Sequence, residues 1–205
     1  MLSKLFGNSN TTTSIHPLSN DQDDSKLVDA IDNLKELMNK IENTKWPRLQ
    51  SNHLLDILHQ ESIAIRKASQ AAVTDLESIT TYLSKHLQMS ATLDSVYKHI
   101  TEQGKIPRTW LTAKNLPAKM SLDAFTGFLE KKWINVCNVL YQLREDVMKV
   151  DLGMMVDPFR FVRSFVLDHV RDSGIDADIV CEAKVLLFNF GCQSENNVGI
   201  FLTSK

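Results

Sequence analysis

Apolar side chains return every three or four positions through Leu27, Ala30, Ile31, Leu34, Leu37, Met38 and Ile41. That spacing places them on one face of an α-helix. Ser25 stands where a cap is needed, because its hydroxyl can accept from an orphan backbone N–H, and Asn43 and Pro47 bring the helix to a close. A second helical pattern runs from about Arg48 to Leu87 through Leu54, Leu55, Leu58, Ile65, Ala68, Ala72, Val73, Leu76, Ile79, Tyr82 and Leu83. With no internal Pro or Gly it predicts one long helix or two abutting ones. Charges do not flank this seam regularly and Ser or Thr interrupts it, so it does not read as a coiled coil. Ser90 can cap a third helix carrying Leu93, Val96, Tyr97 and Ile100, which Gly104 ends.

Beyond Gly104 the chain turns through Pro107 to Trp110, and Leu116 and Pro117 follow in a short irregular link. Ser121 then caps a long span with Leu122, Phe125, Phe128, Leu129, Trp133, Val136, Cys137, Leu140, Tyr141 and Val147 on its apolar face. After it, Asp151 to Val156 is short and apolar like a strand. Asp157-Pro158 is a cap followed by proline at the first helical position. Phe161, Val162, Phe165, Val166, His169 and Val170 carry that helix as far as Gly174. Ile179, Cys181, Ala183, Val185 and Leu187 alternate with Glu182 and Lys184, the period of a half-buried strand, and Val198 to Thr203 reads as another. The expected fold is α+β and predominantly α: a flexible polar lead over 1–24, a helical bundle over 25–150, and a mixed strand-helix-strand element over 151–205 packed with it.

Composition leaves this picture standing. The 205 residues are 43% hydrophobic and 23% charged, as in an ordinary globular protein. A formal net charge of −2 gives no electrostatic case for nucleic acid or an anionic membrane. No apolar run reaches the roughly 18 residues of a spanning helix. The start Met1 to Gly7 lacks the apolar stretch of a secretory signal, and three cysteines, Cys137, Cys181 and Cys192, form no CxxC pair. A reducing, intracellular setting is expected.

Candidate chemistry mostly dissolves on inspection. His53 and His59 are six apart, off a common helix face, and no Glu completes a zinc motif, so ordinary surface or half-buried histidines are expected. Cys137 falls on an apolar face and reads as a small hydrophobe, Cys181 alternates inward, and Cys192 is the one candidate exposed thiol. Asp21, Asp23 and Asp24 lack the Gly and distal Glu of a calcium loop and read as an acidic linker. Lys131 and Lys132, near Arg144 and Lys149, could bind phosphate, but Glu130, Glu145 and Asp146 make a mixed solvated face the better reading. Trp110, Phe125, Phe128 and Trp133 could line a groove, yet their spacing suits core anchors. No catalytic, cofactor or metal residue is assigned.

The most individual stretch is Gly104-Lys105-Ile106-Pro107-Arg108-Thr109-Trp110, followed by Leu116-Pro117-Ala118-Lys119-Met120 and a helix from Ser121. It resembles the C-terminal region of dynein heavy chains, where a helix ends in a Gly-x-(Ile/Val/Leu)-Pro-x-x-Trp turn before a short link and a further helix. The order of landmarks matches that family from about Asn33 to Leu202. Leu152 to Val162 is similar to the family's Gly-x-Phe-x-Pro-x-x-(Phe/Tyr)-(Leu/Ile)-Thr segment, although Met154 and Met155 replace the usual residues and Arg163 stands near the usual threonine. Ser173 to Asp176 resembles a strand entry, and Asn197 to Leu202 looks like the Gly-Val-x-x-Gly-Leu-x-Leu segment. Leu116 to Met120 leans toward the cytoplasmic heavy chains.

The resemblance implies a structural and regulatory domain lying against the ATPase ring of a microtubule motor, in cis or in trans, touching microtubules only indirectly and binding neither nucleic acid nor membrane. Its setting is cytoplasmic and cytoskeleton-associated. The sequence stops at Lys205, where most members continue into a β-rich lobe, so a shortened region or a fragment is expected. None of the seven glycines opens the Gly-x-x-x-x-Gly-Lys-(Ser/Thr) loop that cradles phosphates, so no ATPase of its own is expected. The residues expected to matter are packing anchors: Gly104, Pro107, Trp110, Leu116, Pro117, Phe125, Phe128, Pro158 and Phe161. The rival expectation is a free-standing helical module that binds partner helices through an apolar groove.

Overall fold

In the computed structural model, which describes residues 21–47, 52–111, 119–143, 150–172, 186–189 and 198–201, helix α2 (His53–Ser84) is the spine. At about 1.5 Å per residue its 32 residues span roughly 48 Å. It runs unbroken because nothing in it lacks an N–H or a side chain, and because its outward hydroxyls bond to their own helix. Thr74, Ser78 and Thr81 each donate to the carbonyl four residues back, at 2.7–2.8 Å.

Helix α1 (Asp21–Glu42) lies antiparallel to the spine, with Lys35 paired to Glu77 at 2.6 Å and Glu42 to Arg66 at 2.6 Å. Its stripe Leu27, Ala30, Ile31, Leu34, Leu37 and Ile41 is buried in the core with Leu58, Ile65, Ala72 and Leu76 of α2. Helix α3 (Ala91–Thr101) packs more lightly, burying Val96, and α4 (Leu122–Tyr141) completes the layer with Phe125, Leu129, Trp133, Val136 and Val139. The serine caps form as expected: Ser90 accepts from the Leu93 N–H and Ser121 from that of Ala124, each at 3.3 Å.

Between α3 and α4 lies the corner. Gly104 takes φ +60, a left-handed conformation with open space around its α-carbon, so the dihedral alone favours glycine. The turn lets the Lys105 N–H reach back to the His99 carbonyl at 2.9 Å, while the Ile106 N–H donates to Met120 at 3.0 Å. Buried Pro107 opens a 3₁₀ turn over Arg108–Trp110. Trp110 is wholly buried, 5.6 Å from Phe125 ring to ring, and its indole N–H donates to Asp75 of the spine at 2.7 Å.

The C-terminal element begins with β1 (Val150–Asp151) and a 3₁₀ turn over Leu152–Met154. Helix α5 (Pro158–Asp172) follows, and β2 (Leu186–Asn189) and β3 (Val198–Phe201) complete an antiparallel sheet of order β1-β3-β2. Ile200 stands opposite both Val150 and Leu187, and Gly199 opposite Asp151 and Phe188. The protein therefore adopts a predominantly helical architecture with a small β element.

Local details depart from expectation. Helix α1 starts at Asp21, so Ser25 is inside it; Asp21, Asp23 and Asp24 lie in the first turn rather than in a linker, where negative charge favours the positive helix end. Helix α2 ends at Ser84, closed by His86 at φ 51: the His86 N–H bonds to Leu83 and the Leu87 N–H to Tyr82, a Schellman closure made without glycine. Helix α4 ends at Tyr141 instead of reaching Val147. Of the stretch Asp151 to Val156 only Asp151 is strand. The Asp151 carboxylate accepts from the Gly153 N–H at 2.9 Å and winds the next residues into a 3₁₀ turn. The anchors Leu116 and Pro117, Cys181, Cys192, Gly174, the polar lead up to residue 20 and the first part of the predicted 179–187 strand lie outside the described residues.

Trp110→Ala is expected to cost about 3–5 kcal/mol by loss of a buried aromatic. Trp110→Phe, which removes the bond to half-buried Asp75 and the smaller part of the buried ring system, should cost less, about 1–3 kcal/mol. Urea midpoints of the two variants measure the difference, and equal midpoints for Trp110→Ala and wild type would show that the corner is not an anchor.

A buried polar clamp as the candidate functional site

Four polar side chains sit where their helices' periodicity places core residues. Glu61 follows Leu54 by seven positions, Lys132 follows Phe125 by seven, and Asp168 follows Phe161 by seven; Asn135 shares the inner face of α4 with Lys132. All four are buried, Lys132 to 2% exposure. Each has its polar atoms directed at backbone groups of another segment.

Glu61 receives the start of α5. The Val156 N–H lies 2.7 and 2.8 Å from its two carboxylate oxygens, and the Asp157 N–H donates at 3.2 Å. Lys132 donates to the Met154 carbonyl, and its ammonium stands 5.5 Å from the centre of the Phe128 ring. Asn135 treats Asp151 as a neighbouring strand would: its side-chain amide donates to the Asp151 carbonyl at 3.0 Å and its oxygen accepts from the Asp151 N–H at 3.2 Å. At the far end of α5, Asp168 accepts from the His53 N–H at 3.0 Å and the Leu54 N–H at 2.7 Å. With Asn52 accepting from Leu55 through its side chain at 2.7 Å and from Asp56 through its carbonyl, the open donors of the spine's first turn are filled, two of them by α5.

Burial sets the charge balance. Desolvation pushes the Glu61 carboxyl above its usual range, against the opposing pull of Lys132 and of the Asp157 and Val156 N–H groups. Desolvation likewise lowers Lys132, against the pull of Glu61 and Asp151. The arrangement can hold backbone in place.

The expected anchors divide between two places. Gly104, Pro107, Trp110 and Phe125 meet at the corner, and Phe161 is buried beneath the clamp. Phe128 is half-buried beside the Lys132 ammonium, and Pro158 is half-buried at the first position of α5, where Asp157 caps the Arg160 N–H at 3.0 Å as expected. The reading of Lys132 as part of a solvated mixed face is overturned: Lys131 faces out, and Lys132, one position on, turns into the core, while Arg144, Glu145, Asp146 and Lys149 lie outside the described residues. His53 is exposed, and half-buried His59 stacks on Trp46 at 3.8 Å. Cys137 packs half-buried against the core, and burial raises its thiol pKa. Sequence pattern alone does not single out Glu61, Lys132, Asn135 or Asp168 as site residues. Among the described residues no three His, Cys, Asp or Glu side chains gather as a metal site, and no helix is long and apolar enough to cross a membrane.

A helical layer closed onto a small sheet by buried polar contacts defines a packing domain of the α+β class. The family model for the C-terminal domain of the dynein heavy chain matches residues 1–197, and this protein belongs to that family. No curated protein and no solved structure matches it significantly.

The clamp predicts a particular pH response. Because the folded state raises the Glu61 pKa, it holds that proton more tightly than the unfolded chain, and the Glu61 contribution to stability is largest below about pH 4.3 and falls as pH rises through the raised value. Lys132, lowered by folding, contributes in the opposite sense, with stability rising from its lowered value toward about pH 10.4. In urea titrations at a series of pH values, the stability difference between wild type and Glu61→Gln should shrink as pH rises on the acid side. A difference that grows with pH there would contradict the raised pKa.

Proposed function

We propose that this protein serves as a non-catalytic structural and regulatory C-terminal region of a dynein heavy chain, packing against the ATPase ring of a microtubule-based motor, in cis or in trans. Its contact with microtubules is then indirect, and its setting cytoplasmic and cytoskeleton-associated. The observation that carries this reading is the family match over residues 1–197. The clamp adds support from chemistry. Glu61, Lys132, Asn135 and Asp168 all bond to backbone groups of the protein itself, which suits a brace better than a catalyst. An enzyme needs an acid, base or nucleophile within reach of a substrate pocket, and these groups have neither the exposure nor the free valences.

The test uses the purified protein and a dynein motor ring lacking its own C-terminal domain. Comigration of the two in size-exclusion chromatography, together with a change in the ring's microtubule-stimulated ATP turnover, is the expected result. The protein alone should turn over no ATP. A folded protein that fails to bind the ring would favour the free-standing interaction module, and ATP turnover by the protein itself would overturn the non-catalytic reading.

A further inference from the structure

The inner face of α5 is unusual. Among its described side chains Phe161, Ser164 and Asp168 are buried and Val162 and Phe165 pack half-buried on the core, while Phe159 (89% exposed) and Leu167 (45% exposed) point outward. A helix held by apolar burial alone would keep polar side chains off its buried face. The apolar contacts of α5 are supplemented at its two ends by charge. Glu61 holds the Val156 and Asp157 N–H groups at the start, and Asp168 holds the first turn of α2 at the finish. Asp157 and Asp168 are separated by about 16 Å of helix. Since the Glu61 and Asp168 carboxylates each bond backbone of the opposite partner, neither end can leave without stripping buried groups of their partners at that end.

From this geometry we propose that residues 150–172, together with the strand β3 paired to β1, form a detachable flap. They dock on α2 and α4 as one cooperative unit, latched by Glu61 with Lys132 at one end and by Asp168 at the other, and release while the helical layer stays folded. Buried ionic contacts of this kind enforce one geometry but add little net stability, because each charge also regains its hydration on release. The flap itself contributes Val150, Leu152, Met155 and Phe161 to the core, a smaller apolar share than that of α1, α2 and α4, where Leu34, Leu58, Leu76, Phe125 and Val139 are deeply buried. Release therefore precedes global unfolding.

The charged surroundings of the first latch come from every element packed there: Lys132 from α4, Asp151 from β1 and Asp157 from the start of α5. Those of α1 are engaged elsewhere, Lys35 with Glu77, Glu42 with Arg66, and Lys40 with Glu36 and Glu130. At the second latch Arg171 lies 3.3 Å from Asp168 on the solvent side. The inference stands on these contacts alone and is independent of how the protein meets a motor ring.

Native-state hydrogen exchange on the full 205-residue protein tests it through the four amides that the carboxylates hold. In wild type, Val156, Asp157, His53 and Leu54 should exchange through one common opening, ahead of the amides of Ile65 to Ile79. Glu61→Gln should speed exchange at its own end by about tenfold or more, as expected when a charged acceptor of buried N–H groups is lost. It should also speed exchange at His53 and Leu54 by the same factor. Asp168→Asn should do the converse, raising exchange at Val156 and Asp157 by about tenfold or more. Acceleration confined to the mutated end would mean two unrelated local contacts and would overturn the proposal. So would equal acceleration of the Ile65 to Ile79 amides, which means that no part opens separately. If a variant fails to fold, the wild-type comparison decides: four unequal openings refute the flap.

Discussion

The Glu61 carboxylate is placed where the helix period demands an apolar residue, and much of the C-terminal architecture follows from how that charge is accommodated. It stands one turn from Leu58 and one from Ile65, both deeply buried. Left alone, such a charge would cost several kcal/mol. The fold resolves this by bringing the Val156 and Asp157 N–H groups and the Lys132 ammonium to it, from segments 71 to 96 positions later. Lys132, buried in its turn, takes the Met154 carbonyl. The path of residues 154–157 is thus dictated by satisfying two buried charges, Glu61 through the Val156 and Asp157 N–H groups and Lys132 through the Met154 carbonyl, and Asp157 is delivered to the place where it caps α5.

The two ends of the spine are secured by different physics. Toward its C-terminus α2 is covered by an apolar corner, with Trp110 against Phe125, and its last turn is closed locally through His86. The long-range polar bond from Trp110 to Asp75 marks that region of the corner, and it lies at the edge of buried aromatic surface. Toward its N-terminus α2 depends on a distant helix for the partners of its first two N–H groups. Negative charge there is favoured by the positive end of the helix dipole, so Asp168 is held electrostatically as well as by its two bonds.

Much of the helical layer is legible in the sequence because long amphipathic helices carry a strong and redundant signal. The stripes of α1, α2 and α4, the Ser90 and Ser121 caps, the turn at Gly104 and the Asp157-Pro158 start all follow from local rules. The ends of α1, α2 and α4 are less legible, since a left-handed His86 and an acidic first turn replace the glycine and serine that those rules favour. Asp151 to Val156 reads as a strand because its apolar content is real, but Asp151 bends the backbone by capping Gly153. The clamp is hidden for a different reason. A charged residue is ordinarily assigned to the solvent face, and nothing local says that a lysine at position 132 will find a carboxylate from position 61. The signal that does exist is register: Glu61, Lys132 and Asp168 each continue an apolar stripe at a seven-residue step.

That shared register also bears on why the polar residues occur together. A single charge in an apolar stripe is a defect; Glu61 and Lys132 offset each other's burial and share one backbone segment, while Asp168 is compensated by the first N–H groups of α2. Replacing one alone leaves its partners uncompensated, whereas a hydrophobic stripe tolerates single changes of similar volume. The C-terminal segment is consequently specified by a few mutually dependent contacts and the corner by many independent ones. The two are complementary: a firm apolar layer gives the domain its integrity, and a polar closure fixes the geometry of the piece laid upon it.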